Sequence, residues 1–131
     1  MYEEINGLKS IFNDILKEKK ETWFIGDPKM LDSLQFYFPY FINQKRKQKM
    51  FSKVITYECA AMRNYQKQAP KEFINMRFIK EKIDMTKIIY GDKVAFLTFK
   101  EKNSVGVLIN NKDIADTERK LFDILWVNSK E

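Results

Sequence analysis

The sequence predicts an α/β domain with a mixed parallel and antiparallel sheet flanked by helices on both faces. Three observations support this fold class. Helical and strand patterns alternate through residues 4–79, short apolar runs separated by turn residues follow in 86–109, and an amphipathic helix pattern comes last. The predicted order is α-β-α-β-α-β-β-β-β-α, whose later strands form an antiparallel meander.

The length of 131 residues suits one domain, so residues 1–131 are expected to share a single core. The chain has one cysteine, Cys59, and no histidine, which excludes an internal disulfide and removes the commonest metal ligand and general base. No apolar run approaches the roughly 18 residues of a membrane span. We therefore expect a cytoplasmic protein that needs no metal or cofactor and does not contact membranes.

The first elements follow from local patterns. Apolar residues recur at helical spacing in residues 4–19, which predicts an amphipathic helix. Residues 21–26 are rich in β-formers and end in glycine, which predicts a strand. Asp27 and Pro28 then supply a helix cap and a proline for the first helical turn.

The next helical stretch is aromatic and contains a proline. Pro39 lacks an N–H donor and restricts the residue before it, so two abutting helices, 28–37 and 39–49, are predicted. The stretch is apolar over more positions than one buried stripe needs. It is part of the core, the lining of a ligand pocket or a subunit interface, and the candidate interface residues are Phe36, Phe38 and Phe41.

The remaining elements alternate strands with turns. The predicted strands are 51–57, 73–79, 86–90, 94–99 and 105–109, with a helix over 58–68 and a polar turn at 101–104. Asn110 and Asn111 cap the last helix. Its apolar residues are expected to lie on one face that packs on the sheet: Ile114, Leu121, Phe122, Leu125 and Trp126.

The net charge of +6 permits contact with nucleic acid without requiring it. The one basic cluster is Lys45, Arg46, Lys47 and Lys49. It is either a solvated helix end, which we favour, or a patch that contacts phosphates.

Three segments together resemble a known family. The segment 87–94, the strand 105–109 with its Gly-Val-Leu-Ile sequence, and residues 114–126 resemble one half of the phospholipase D superfamily. They resemble even more the C-terminal effector domain of TrmB-type transcriptional regulators, which are sugar sensors with a degenerate form of that fold. The opening residues 7–27 also resemble the start of that domain.

The phospholipase D pattern H-x-K-x-x-x-x-D can be laid on this sequence. Lys87 matches its lysine and Asp92 its aspartate, but Met85 stands at the histidine position. A thioether cannot attack phosphorus, and no other histidine is available in this chain. The resemblance therefore implies a protein that is not an enzyme and has no catalytic residues.

The resemblance implies that the old catalytic cleft survives as a binding cleft for a sugar or another small polar metabolite. The candidate ligand-binding residues are Lys87, Asp92, Tyr90, Asp27 and Trp23. Other roles stay open for some of them. Lys87 and Asp92 fit an ordinary β-hairpin, and Asp27 fits a helix cap.

The resemblance also predicts the partners. Single phospholipase D-like halves pair, so a homodimer is expected, with a sugar-like effector. No helix-turn-helix domain is evident in the sequence, so the chain is either an excised effector domain or a stand-alone module. DNA contact is then expected only indirectly, through a missing or separate helix-turn-helix domain.

Overall fold

The computed structural model describes the backbone of residues 2–6 and all atoms of residues 7–30, 34, 36–69, 71–99 and 104–131. The described strands form one seven-stranded sheet. The strands are β1 (Tyr2–Glu3), β2 (Thr22–Gly26), β3 (Ser52–Tyr57), β4 (Ile74–Ile79), β5 (Thr86–Tyr90), β6 (Lys93–Thr98) and β7 (Val105–Asn110). The helices are α1 (Glu4–Glu18), α2 (Phe38–Lys47), α3 (Ala60–Gln68) and α4 (Lys112–Val127).

The sheet is mixed, as predicted, with the strand order β1-β7-β6-β5-β2-β3-β4. Strands β2, β3 and β4 are parallel because α2 and α3 carry the chain back between them. Strands β5, β6 and β7 form the predicted antiparallel meander, and β5 joins it to β2 by antiparallel pairing. The two-residue strand β1, which the sequence did not predict, pairs with β7 at the edge.

Helices cover both faces of the sheet, which confirms the predicted architecture. On one face, α1 and α2 bury a cluster that includes Phe12 and Phe41 against Phe24 of β2. On the other face, α4 buries Phe122 and Trp126 in a second cluster. Alternate residues of β2 therefore face different cores, and this alternation decides which side chains can meet at a site.

Helix α1 lies close to β7 at Gly106. A Cβ atom at this position would lie 2.8 Å from Ile11 Cδ1 and 2.8 Å from Leu97 Cδ2. A side chain at this position would displace these methyl groups, so glycine fits the close packing of Ile11 of α1 and Leu97 of β6.

The predicted helix 28–37 is only partly visible. Lys29 and Met30 are helical, residues 31–33 and 35 lie outside the described residues, and Phe36 and Tyr37 form a turn before α2. The expected extension of this helix to Tyr37 is therefore wrong. Pro39 lies in the first turn of α2, where a missing N–H costs little.

Two further predictions can be placed. Asn111 caps α4, because its side-chain oxygen accepts a hydrogen bond from the Ile114 amide at 3.0 Å.

Residues 101–103 of the predicted polar turn lie outside the described residues. Within the described chain, no helix has the length and apolar character needed to cross a membrane.

Candidate functional site

An open cleft lies at the end of the sheet where the β5–β6 hairpin turns. Its volume is about 510 Å³. We call it the hairpin-end cleft, and its lining residues are Glu18, Lys20, Glu21, Trp23, Gly91, Asp92, Lys93, Asn110 and Arg119. These residues meet because four parts of the chain reach the same end of the sheet: the last turn of α1, the start of β2, the hairpin turn and the end of β7.

The hairpin turn shapes the floor of the cleft. Gly91 has a φ of +58°, a left-handed conformation that glycine adopts without strain. The turn leaves Asp92 exposed, while the Asp92 carbonyl accepts a hydrogen bond of 2.9 Å from the Asn111 amide. The position of Asp92 is therefore tied to the start of α4.

One wall of the cleft combines an aromatic ring with a guanidinium group. Trp23 is half-buried, and the guanidinium carbon of Arg119 lies 5.5 Å from its ring centroid. Arg119 donates hydrogen bonds to the Gly91 carbonyl at 2.6 Å and to Asp116 at 2.9 Å. The second of these lowers the pKa of the Asp116 carboxyl group. Arg119 thus links α4 to the hairpin turn and covers part of the Trp23 ring.

The opposite wall contains an ion-pair network. The Lys93 ammonium lies 2.8 Å from Glu18 and 2.9 Å from Asp14, and its hydrogen bonds to these carboxylates raise its pKa. Burial opposes the ionisation of Asp14, but hydrogen bonds from Lys93 and Tyr90 prevail and lower its pKa. The network fixes the last turn of α1 against the hairpin.

The structure brings together only two of the five sequence-predicted ligand residues. Trp23 and Asp92 line the hairpin-end cleft. Lys87 lies near the other end of β5 and does not line the cleft, and its ammonium group pairs with Glu118 of α4. A single cleft shared by Lys87 and Asp92 is therefore wrong.

The other two predicted ligand residues are buried. Tyr90 is fully buried, and its hydroxyl group donates to Asp14 at 2.9 Å. Asp27 is also buried, and its carboxylate accepts a hydrogen bond of 3.0 Å from the Lys29 amide. Asp27 therefore takes the capping role that the sequence left open, and neither side chain is presented to a ligand in this structure.

Three residues of the basic cluster are exposed and the fourth is buried. Arg46, Lys47 and Lys49 are exposed at the C-terminal end of α2, where positive charge is favourable. Lys45 is only 3% exposed, and its ammonium group donates to the Ser52 hydroxyl. The prediction that Lys45 contributes to a surface patch is wrong, because α2 directs this side chain into the protein.

The predicted aromatic interface needs a similar correction. Phe36 is 90% exposed, but Phe38 and Phe41 are buried and pack edge-on against Phe12, with ring centroids 5.7 and 5.1 Å apart. Phe38 and Phe41 therefore belong to the core. Their burial leaves only Phe36 of the three on the surface.

A different apolar surface lies on α4. We call it the outer stripe, and it consists of Ile114, Leu121, Ile124 and Val127, which are 40–75% exposed. Ile114 and Leu121 were expected to pack on the sheet, and this expectation is wrong. The residues of α4 that pack on the sheet are Ala115, Phe122 and Trp126, with the half-buried Leu125 beside them. The prediction is therefore confirmed for Phe122, Leu125 and Trp126.

No cluster of three or more metal-ligating side chains is assembled in the described part of the chain. Comparison with protein-family models gives no match, and no curated protein matches the sequence.

Comparison with solved structures gives a likeness of fold. TrmBL2, described as an archaeal chromatin protein with a novel mode of DNA binding, matches with a TM-score of 0.64 and 14% sequence identity. The match covers 94% of this chain and 48% of TrmBL2, so this chain spans about half the length of that protein. The likeness supports the TrmB-like resemblance at the level of the fold.

Proposed function

We propose that this chain is a non-catalytic ligand-sensing module of a TrmB-like transcriptional regulator, and that the hairpin-end cleft binds a sugar or another small polyhydroxylated metabolite. One observation carries the proposal. The Trp23 ring and the Asp92 carboxylate line the same open cleft, together with Arg119. The fold shared with TrmBL2 is consistent with a regulatory role.

The side chains of the cleft match the chemistry of a sugar. A sugar offers hydroxyl groups that both donate and accept hydrogen bonds, and an apolar face that packs on an aromatic ring. Glu18, Glu21 and Asp92 supply acceptors, while Lys20 and Arg119 supply donors. Trp23 supplies the ring. The exposed part of that ring is the surface on which we place the apolar face of the sugar.

The residues that match the phosphodiesterase pattern favour binding over catalysis. Met85 stands where the pattern has its histidine, and the chain contains no imidazole. Lys87 pairs with Glu118, which competes with any phosphate for its ammonium group. These features support a protein that is not an enzyme.

The same module is proposed to form a homodimer through the outer stripe of α4. When two copies of α4 pair antiparallel about a two-fold axis that passes near Leu121, at the middle of the stripe, the stripe of one copy covers the stripe of the other. The outer stripe is therefore complementary to itself in apolar surface.

Helix α4 connects the proposed ligand site to the proposed dimer interface. Arg119 extends from α4 to the Gly91 carbonyl at the cleft, and the outer stripe lies on the same helix. A ligand that binds Arg119 and Asp92 together would change how firmly α4 is held to the hairpin. The dimer would respond to the ligand through this helix.

The proposed function is tested by titrating the full chain with mono- and disaccharides while Trp23 fluorescence and the thermal midpoint are followed. The Trp126→Phe background leaves Trp23 as the one tryptophan, because the chain contains two. We expect one sugar to change the Trp23 emission and to raise the midpoint. Asp92→Asn should weaken that response, and Asp84→Asn, at an exposed position outside the cleft and outside α4, should not.

If no saccharide changes the Trp23 emission at millimolar concentration, the proposed ligand class is wrong. An undiminished response in Asp92→Asn would place the ligand elsewhere on the protein.

A second function is favoured by a separate observation. Arg46, Lys47 and Lys49 are exposed together at the end of α2. Such a patch can contact phosphates directly, and retention on duplex DNA would then fall steeply with salt. The Arg46→Gln, Lys47→Gln and Lys49→Gln triple variant should lose this retention. Equal retention of the variant and the wild type would exclude the patch.

A further inference from the structure

A groove with a largely apolar lining lies between α2 and α3. Its volume is about 490 Å³, within the range of about 300–1,000 Å³ that is typical of small-molecule sites. The apolar lining comes from Phe38 and Ile42 of α2 and from Ala61 and Tyr65 of α3. None of these residues lines the hairpin-end cleft, so this groove is a separate feature.

A small void lies beneath the groove. Its volume is about 30 Å³, and its lining is almost wholly apolar, with Phe24, Phe41 and Val54 among the contributors. Phe38, Ile42 and Tyr65 line both the groove and the void. These three side chains are therefore the partition between them, and a change of side-chain rotamer at Ile42 or Tyr65 would join the two spaces.

One charged side chain reaches this void. Lys45 lines it, and the Lys45 ammonium lies 5.2 Å from the Phe24 centroid and 5.5 Å from the Phe41 centroid. Its hydrogen-bond partner is the Ser52 hydroxyl, which is itself bonded to the Thr22 hydroxyl. No carboxylate pairs with Lys45 among the described residues.

A buried ammonium group without a carboxylate is costly. Burial removes its hydration, and a hydroxyl group and two aromatic rings replace only part of that interaction. Burial accordingly lowers the pKa of Lys45 to about 7. A bound anion would supply an opposite charge that no described residue supplies, in a place from which water is largely excluded.

We propose that the α2–α3 groove binds an apolar monocarboxylate, whose carboxylate group pairs with Lys45 and whose hydrocarbon chain lies along Phe38, Ile42, Ala61 and Tyr65. The chemistry of the two parts requires this class of ligand. The described lining of the void offers the positive charge of Lys45, and the groove offers an apolar surface that a rotamer change at Ile42 or Tyr65 would join to it. The groove and the void share no lining residue with the hairpin-end cleft, so this site is distinct from it.

The test uses sodium octanoate, with octanamide as an uncharged probe of the same chain length. Both are titrated into the full chain at pH 6, where Lys45 is protonated, and backbone amide shifts and calorimetric heats are recorded. We expect octanoate to shift the amides of α2 and α3. Octanamide should bind more weakly than octanoate by about tenfold or more, because it lacks the charge.

Three variants separate the contributions. Lys45→Met keeps an unbranched apolar side chain and should weaken octanoate binding by about tenfold or more while leaving octanamide binding unchanged. Ala61→Trp fills the groove without changing Lys45 and should weaken both probes. Lys47→Met removes an exposed charge of the same helix and should weaken neither.

Two results would overturn the proposal. One is the absence of octanoate-dependent shifts in α2 and α3 of the wild type at millimolar concentration. The other is octanoate binding by Lys45→Met within twofold of the wild type, which would show that the buried charge does not recognise the carboxylate. Neither result bears on sugar binding at the hairpin-end cleft, because no residue is shared.

Discussion

The guanidinium group of Arg119 connects two parts of the molecule: it lies 5.5 Å from the Trp23 ring centroid and donates a 2.6 Å hydrogen bond to the Gly91 carbonyl. It thereby joins α4 to β2 and to the hairpin turn. Charge-assisted hydrogen bonds are stronger than neutral ones, and this one lies in a partly buried position. The contact explains why a residue of the last helix belongs to a cleft formed mainly by the hairpin turn and the start of β2.

Replacing Arg119 should loosen this connection. Arg119→Met keeps the aliphatic part of the side chain but loses the bond to Gly91, so we expect the free energy of unfolding to fall by about 1–2 kcal/mol. Urea denaturation measures this change. Lys67→Met is the control, because this lysine is exposed on α3, away from both the cleft and the outer stripe, and it should change stability by less than about 0.5 kcal/mol. Equal losses in both variants would contradict a specific role for Arg119.

Gly106 is expected to be intolerant of even the smallest side chain. In Gly106→Ala the new methyl group meets Ile11 and Leu97 at 2.8 Å, so α1 must shift or these side chains must leave their rotamers. Overpacking of this kind costs about 1–3 kcal/mol. Thermal unfolding would measure the loss.

Gly26→Ala is the control for that experiment, because the nearest atom to its added Cβ would be Thr86 Oγ1 at 4.0 Å. Gly26→Ala should lower the free energy of unfolding by clearly less than Gly106→Ala does. If the two alanine variants are equally stable, the close contact of α1 with β7 does not determine the preference for glycine.

The buried lysine predicts an unusual dependence of stability on pH. The pKa of Lys45 is about 7 in the folded protein and 10.5 in the reference state, so the unfolded chain binds more protons between these values. Stability should therefore rise as the pH increases from about 7 to about 10.5, apart from other titrating groups. Tyr65, which lines the same void, stays neutral in this window because burial raises its pKa to about 12.

The Lys45→Met variant should lose this rise with pH and should be more stable than the wild type at pH 6, by on the order of 2–4 kcal/mol. Urea denaturation at pH 6, 8 and 10 measures both effects. Lys47→Met, which removes an exposed charge, should keep the wild-type profile. If Lys45→Met has a lower free energy of unfolding than the wild type at pH 6, the folded protein stabilises the Lys45 ammonium group more than its described partners account for.

The sequence predicted the sheet well because its signals are local. Short β-rich runs bounded by Gly91 or by polar residues define the strands, and their order fixes the antiparallel meander. The side chains of α4 show where local signals fail. Apolar residues occupy five of six consecutive positions in 121–126, so periodicity alone does not determine which of Leu121 and Phe122 faces the sheet.

The candidate site was predictable only in part for a similar reason. Trp23 and Asp92 have side chains typical of ligand sites, and both line the cleft. Arg119 was missed because a basic residue on an amphipathic helix has no local signal that separates it from an ordinary solvated charge. The burial of Lys45 and Tyr90 depends on the contact of α2 and α1 with distant strands, which no short segment of sequence encodes.

Acid should weaken the ion-pair network that Lys93 forms with Asp14 and Glu18 beside the cleft. Asp14 accepts hydrogen bonds from Lys93 and Tyr90, and its pKa is lowered from the reference value of 3.8. Its contribution to stability is therefore complete above pH 3.8 and is lost as the pH falls through the lower folded value. Asp14→Asn keeps an acceptor for Tyr90 but removes the charge. This variant should lose less stability than the wild type between pH 4 and pH 2, measured by urea denaturation.

The outer stripe of α4 predicts the oligomeric state. Leu121 is 52% exposed at the middle of the stripe, and a charge placed there would face the same stripe of the second copy in an antiparallel pair. Leu121→Lys should convert the dimer into a folded monomer, because Leu121 does not belong to either core. Light scattering measures the mass, and circular dichroism checks the fold.

Phe36→Lys is the matched control, since Phe36 is 90% exposed in the aromatic stretch and lies on a different element. It should remain dimeric if the dimer forms through α4. A monomeric Phe36→Lys with a dimeric Leu121→Lys would instead assign the interface to the turn before α2. A wild type that is monomeric at micromolar concentration would remove the dimer from the proposed mechanism and leave ligand binding to act within one chain.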